Sequence, residues 1–161
     1  MKQQLTLRVN GRDERVLADT HHTLLEVLRR ELRLFGAREG CGVGMCGACT
    51  VLLDGQPVSS CLLLAHEVRG RAIETVEGLA QGEALHPIQQ AFIEHTAFQC
   101  SFCTPGMLLA TKALLAENPN PTDEEITDYL AGNLCRCGSY LAIVEAVRAA
   151  AERLRTAAGA S

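Results

Sequence analysis

Eight cysteines are the residues of this sequence best suited to chemistry, and they fall into two groups of four. The first is Cys41, Cys46, Cys49 and Cys61, the first three lying within Gly40-Cys41-Gly42-Val43-Gly44-Met45-Cys46-Gly47-Ala48-Cys49. The spacing is C-x4-C-x2-C, with the fourth cysteine after eleven intervening residues, the plant-type ligand pattern for a [2Fe–2S] cluster. Three thiolates in nine residues must curl round one object. Glycines and Ala48 allow that curl, because glycine enters positive φ without steric cost. They also leave backbone N–H groups free to face the sulfurs. Disulfides are the bland alternative, but they require an oxidising compartment. Structural zinc usually takes two C-x2–4-C knuckles, and Cys46 with Cys49 makes only one. Met45 reads as loop packing, since four thiolates complete the site.

The second group is Cys100-Ser101-Phe102-Cys103 and Cys135-Arg136-Cys137. Each pair lies just ahead of a predicted helix, where free N–H groups and the positive dipole end favour thiolates. Taken alone, C-x2-C…C-x-C fits a structural zinc site as well as an iron–sulfur cluster.

The elements that must position these thiols can be read in order. Gln4–Val9 alternates as a strand, Asn10-Gly11 signals a hairpin, and Glu14–Leu17 is the returning strand. Thr23 with Glu26 is a capping box opening a helix to about Leu32, with Leu24, Leu25, Leu28 and Leu32 on one stripe. Thr50–Leu53, Asp54-Gly55 and Pro57–Ser60 form a second hairpin, and Arg71–Val76 a last strand. Two hairpins and one helix predict a small α+β domain over residues 1–78, a β-grasp being the natural arrangement. Residues 79–161 carry no strand pattern. Helices are predicted over Pro87–His95, from Thr104 as N-cap with Pro105 at N1 to Glu117, from the Thr122 capping box to a C′ glycine at Gly132, and over Leu141–Leu154. On the last, Leu141, Val144, Val147, Ala151 and Leu154 form the apolar face. Four helices with short connections predict an all-α bundle.

The totals exclude several classes. Net charge is −4, aromatic content is 4% and there is no Trp, which argues against nucleic-acid binding. Residues 1–79 balance ten Lys/Arg with ten Asp/Glu, so the acidity lies in the second half. No apolar run approaches the ~20 residues of a membrane span. The opening residues lack the apolar core of a signal peptide, so a cytoplasmic location is expected. His21, His22, His66, His86 and His95 share no spacing and read as surface or capping residues. The acidic run Asp123-Glu124-Glu125 reads as a solvated helix N-terminus.

Three stretches together are distinctive. Gly40 to Val51, Gln99-Cys100-Ser101-Phe102-Cys103-Thr104-Pro105-Gly106-Met107 and Gly132-Asn133-Leu134-Cys135-Arg136-Cys137 resemble, in order, the cluster motifs of the iron–sulfur subunits of molybdenum hydroxylases, the xanthine dehydrogenase family. All eight cysteines fall on motif positions, and the length resembles the separate small subunit of carbon monoxide dehydrogenase or 4-hydroxybenzoyl-CoA reductase. The resemblance implies a plant-type ferredoxin-like domain followed by a helical bundle. It implies two [2Fe–2S] clusters, one on Cys41, Cys46, Cys49 and Cys61 and one on Cys100, Cys103, Cys135 and Cys137. The second would lie beside the molybdopterin of a large subunit, contacted by Gln99 and Cys137. The first would lie further out, toward an FAD subunit or another acceptor, such as a cytochrome. Two departures stand out. The family usually has Gly where Ser101 stands, and Thr-Gly-Tyr where this chain has Gly138-Ser139-Tyr140.

The expected function is therefore electron relay from molybdopterin outward, within an oxidoreductase whose substrate site lies in another chain. The alternatives are a free-standing ferredoxin-like carrier and a zinc-stapled interaction protein.

Overall fold

Leu5, Leu7 and Val9 alternate with polar residues, and in the computed structural model, which describes residues 1–159, they are the buried face of β1 (Lys2–Val9). Asn10 and Gly11 turn the chain into β2 (Arg12–Asp19), paired antiparallel from Val9↔Arg12 to Lys2↔Asp19. Both turn residues have positive φ, 49° and 78°, as a tight hairpin requires. The returning strand is longer at both ends than expected, because this turn leaves no slack between the two strands.

Asn10 has a second task. Its Oδ1 accepts the Thr75 N–H at 2.9 Å, and its Nδ2 donates to Thr75 Oγ1 at 3.0 Å. Thr75 is fully buried at the end of β5 (Ala72–Glu74). Asn10→Ala is expected to lower stability by about 2 kcal/mol, since it orphans two buried polar groups and puts alanine at a left-handed φ. Urea unfolding at constant cluster content measures it.

The Thr23 capping box forms: Thr23 Oγ1 accepts the Glu26 N–H at 3.2 Å and Glu26 accepts the Thr23 N–H at 2.9 Å. It opens α1 (Leu24–Arg30), which buries Leu24, Leu25, Val27 and Leu28. Leu32 lies past the helix end but still packs on the core. β3 (Thr50–Leu53) and β4 (Gln56–Ser59) make the second hairpin. The sheet order is β2-β1-β5-β3-β4, with β1 parallel to β5 and all other pairs antiparallel. This mixed sheet with α1 packed on it is the expected β-grasp.

Four helices follow among the described residues: α2 (Pro87–Glu94), α3 (Thr104–Glu117), α4 (Asp123–Tyr129) and α5 (Tyr140–Gly159). His86 caps α2 by accepting the Ile88 N–H at Nδ1. Nearly every residue of α3 from Pro105 to Leu115 is buried, because α3 lies against β3 and β4 on one side and α2 and α4 on another. Such a helix has no polar face to show in its pattern. Lys112 of α3 pairs with Glu74 of β5 across the same junction.

Three expectations need correction. Cys103, not Thr104, is the N-cap of α3, because the Cys103 carbonyl already accepts the Met107 N–H at 3.1 Å. Gly132 is not a left-handed C′ glycine. Helix α4 stops at Tyr129 and tightens into a 3₁₀ turn over Leu130–Gly132, closed by the Asn133 N–H on the Leu130 carbonyl at 2.9 Å. On α5 the buried face is Ile143, Ala146, Val147, Ala150 and Ala151, while Leu141 is 83% exposed.

Among the described residues there are two hydrophobic cores, one in the sheet and α1, the other among the helices. All four residues of β3 are buried. Val51 and Leu53 belong to the first core and Leu52 to the second.

Candidate functional site

The first cysteine loop curls as its glycines predict, with Gly42, Gly44 and Gly47 at φ between 68° and 75°. The curl turns N–H groups inward: Val43 and Met45 donate to Cys41 Sγ at 3.4 and 3.3 Å. The N–H groups of Val43, Cys46 and Met45 bring the Cys41 thiol down to about 6. Cys49 is buried where the loop enters β3, and Cys61 follows β4. Burial and the adjacent Cys49 push Cys61 up to about 11. Four uncompensated thiolates would repel, so the set asks for a cationic centre.

The second set is assembled from two helix starts. Cys100 is exposed, and the Phe102 N–H lowers its thiol. Cys103 caps α3, and burial with Cys135 alongside pushes it up to about 12. Burial opposes the Cys135 thiolate too. Yet the N–H groups of Ser139, Cys137 and Gly138, with the Cys103 thiol, outweigh it and lower the group. The Cys135 N–H itself donates to the Tyr140 hydroxyl at 2.8 Å. Gln99 is exposed and donates from Nε2 to the Cys137 carbonyl at 3.3 Å.

Each thiol interacts with partners of its own set: Cys41 with Cys46, Cys61 with Cys49, Cys100 with Cys137, Cys103 with Cys135. The thiols that interact are thus ones grouped together along the sequence. Among the described residues, no three His, Cys, Asp or Glu side chains draw close enough to hold one metal ion. Beside the second set, two buried hydroxyls have no partner: Thr104 Oγ1, one residue past Cys103, and Ser139 Oγ, two past Cys137. Buried hydroxyls are rarely left so, and an inorganic sulfide would supply an acceptor. All eight cysteines are free.

The sets also touch. The Leu134 N–H donates to the Cys46 carbonyl at 2.9 Å, one residue before Cys135. Asn133 is buried and donates from Nδ2 to the Gly47 carbonyl at 3.1 Å and to Thr50 Oγ1 at 3.2 Å. Arg38 donates to the Ser101 carbonyl and lies 5.5 Å from the centre of the Phe102 ring. A groove of about 360 Å³ is lined by Cys46, Cys100, Cys103 and Cys135 together. Sequence reasoning missed Arg38, Asn133 and Leu134 as bridging residues. Their only signal was adjacency to the cysteines, because no local periodicity reports a pairing across 86 residues.

Ser101 has φ +61°, in the region that glycine enters freely. That is the physical sense of the usual glycine there. Ser101→Gly is expected to raise stability by about 0.5 kcal/mol, the strain relieved being partly offset by glycine's unfolded-state entropy. Chemical denaturation at matched iron content reads it.

Residues 7–80 match the family described as 2Fe-2S iron-sulfur cluster binding domain, and residues 75–148 the family described as [2Fe-2S] binding domain. The nicotine 6-hydroxylase small subunit of Paenarthrobacter nicotinovorans is 51% identical over 89% of this chain and 87% of its own. The nicotinate dehydrogenase small FeS subunit of Eubacterium barkeri is 46% identical over 92% of this chain and 95% of its own. The crystal structure of quinoline 2-oxidoreductase from Pseudomonas putida 86 contains a chain with TM-score 0.92 and 43% identity, covering 96% of this chain and 97% of that one.

The chain belongs to the iron–sulfur subunits of the molybdenum hydroxylases. This molybdenum hydroxylase subunit carries two [2Fe–2S] clusters and transfers electrons within a multi-subunit oxidoreductase. The free-standing carrier is not favoured, since relatives aligned over nearly their whole length are named as subunits. Among the described residues of this chain, no helix is long and apolar enough to cross a membrane.

Proposed function

We propose that Cys41, Cys46, Cys49 and Cys61 hold the outer cluster and Cys100, Cys103, Cys135 and Cys137 the inner one. Single electrons pass from the molybdopterin of a large subunit through the inner site to the outer site, and on to an FAD subunit or a cytochrome-type acceptor. Bound at these thiolates, the clusters accept and release one electron at a time. The chain's own residues hold the two sites together and set their N–H environment. The observation that carries this reading is the 2.9 Å Leu134 N–H to Cys46 carbonyl hydrogen bond. It joins the backbone of one ligand set directly to that of the other.

The chain divides, on this reading, at 78/79 into a ferredoxin-like and a helical domain, which the two separate cores support. Exposed apolar side chains sit at both ends of the relay: Val43, Met45 and Leu62 beside the outer set, and Tyr140 and Leu141 beside the inner one. Apolar rims of this kind fit permanent subunit contacts at each end. Gln99 and Cys137 face the pterin of the large subunit. Eight free thiols suit a reducing cytoplasm.

Iron and acid-labile sulfide per chain, with EPR of the dithionite-reduced protein, test the assignment. About four irons and two distinguishable [2Fe–2S] signals are expected. About two irons, with zinc in the remaining thiolate set, would overturn it. Gln99→Ala and Tyr140→Ala should weaken co-purification with the large subunit; retention of both assembly and electron transfer would remove the orientation proposed.

A further inference from the structure

Ser139 is the residue immediately before α5, and its carbonyl accepts the Ile143 N–H at 3.0 Å, so it occupies the N-cap position. A serine there ordinarily spends its side-chain oxygen on a free N–H of the first turn. Ser139 does not. Among the described residues its Oγ has no partner, although the residue is only 9% exposed. It accepts from no backbone N–H, and none of the neighbouring thiol sulfurs accepts from it. Yet the residue lies against the inner set: its N–H faces the Cys135 sulfur, and Cys137 is two positions away. Gly138, at φ +78°, makes the turn that brings it there.

We propose that the Ser139 hydroxyl donates a hydrogen bond to a bridging sulfide of the inner cluster, and so makes that cluster easier to reduce. The proposal rests on the inner-ligand assignment above. A buried donor needs an acceptor, and with backbone and thiols excluded, inorganic sulfide is the acceptor the site would supply. Reduction adds negative charge to the cluster, so a donor aimed at its sulfur stabilises the reduced form more than the oxidised one. Ser139 is then a tuning residue on the relay, and it biases electrons toward the inner site.

Ser139→Gly is the first test, because glycine at an N-cap is tolerated almost as well as serine. Ser139→Ala removes the same hydroxyl by a second route, and Ser139→Thr keeps it. Each is measured in the assembled holoenzyme by EPR-monitored redox titration, with the outer signal assigned by its change in Cys41→Ser. Without the hydroxyl, the reduction equilibrium of the inner cluster should shift roughly tenfold toward the oxidised form, about 59 mV for a one-electron couple. The outer cluster should not move, and Ser139→Thr should titrate like wild type. Unchanged inner potentials in the glycine and alanine variants, at full iron content, would overturn the proposal and leave solvent as the hydroxyl's partner. Failure of the underlying assignment looks different: the wild-type protein itself would then lack a second [2Fe–2S] signal.

Discussion

Cys135→Ala is expected to take the iron content from about four per chain to about two and to erase one [2Fe–2S] EPR signal while leaving the other. Cys135 is 8% exposed, its N–H is held by the Tyr140 hydroxyl at 2.8 Å, and its sulfur is faced by three backbone N–H groups. A thiolate prepared so carefully by its surroundings is expected to be a ligand rather than packing. Alanine leaves those N–H groups around an empty position and only three thiolates for two irons. The outer set keeps its own four thiols and its own N–H groups on Cys41. Iron and sulfide analysis with EPR separates the outcomes. Retention of both signals would remove Cys135 from the ligand set. Loss of both would mean that the outer site cannot load without the inner one.

The second large effect comes from a residue that touches no iron. A Cβ placed on Gly106 would lie 2.3 Å from the Gly47 carbonyl oxygen. That oxygen is backbone, within the Cys46–Cys49 segment, and it already accepts hydrogen bonds from Asn133 Nδ2 and the Thr50 hydroxyl at 3.1 and 2.7 Å. It cannot rotate away as a side-chain tip could. Gly106→Ala must therefore push α3 from the first loop or break those bonds. A cost of about 2–3 kcal/mol follows, or a Tm lowered by about 5–10 °C in a chain of this size. Both EPR signals should broaden or weaken, since the displaced segment belongs to one set and α3 carries the other. Gly132→Ala is the control, because an added Cβ there meets nothing within 4 Å. Equal thermal stability of the two variants would refute the close-approach argument.

What was legible beforehand follows the range of the forces involved. The hairpins announced themselves through Asn10-Gly11 and Asp54-Gly55, and two helix starts through Thr23 and Thr122, because turns and caps are settled within four residues. The plant-type spacing of the first four cysteines points to a cluster, whereas C-x2-C…C-x-C fits zinc as well, because spacing alone does not tell one ion from two. The buried face of α5 lies one step round from the one its apolar residues predict. Leu141 is apolar but stands at a helix start beside the inner set, where it is exposed. Periodicity alone cannot tell a core leucine from one on an apolar rim. The Asn133 and Leu134 bonds to the first loop were invisible, since a buried amide and a backbone N–H carry no periodic signature. The serine at position 101 registered only as a departure until its φ of 61° gave the departure a cost.

Strand β3 carries a consequence for how the protein comes apart. Its two faces serve different cores, Val51 and Leu53 on one side and Leu52 on the other. Melting either half strips one face of the same four residues. Neither half can therefore open fully while the other keeps its whole complement of contacts, and a single calorimetric transition is the natural behaviour. Sub-global opening, which exposes parts of many proteins to exchange and proteolysis, is suppressed at this seam. The backbone of β3 is then among the last to admit water. Cys49, which leads directly into β3, is the thiol whose backbone shares that protection first.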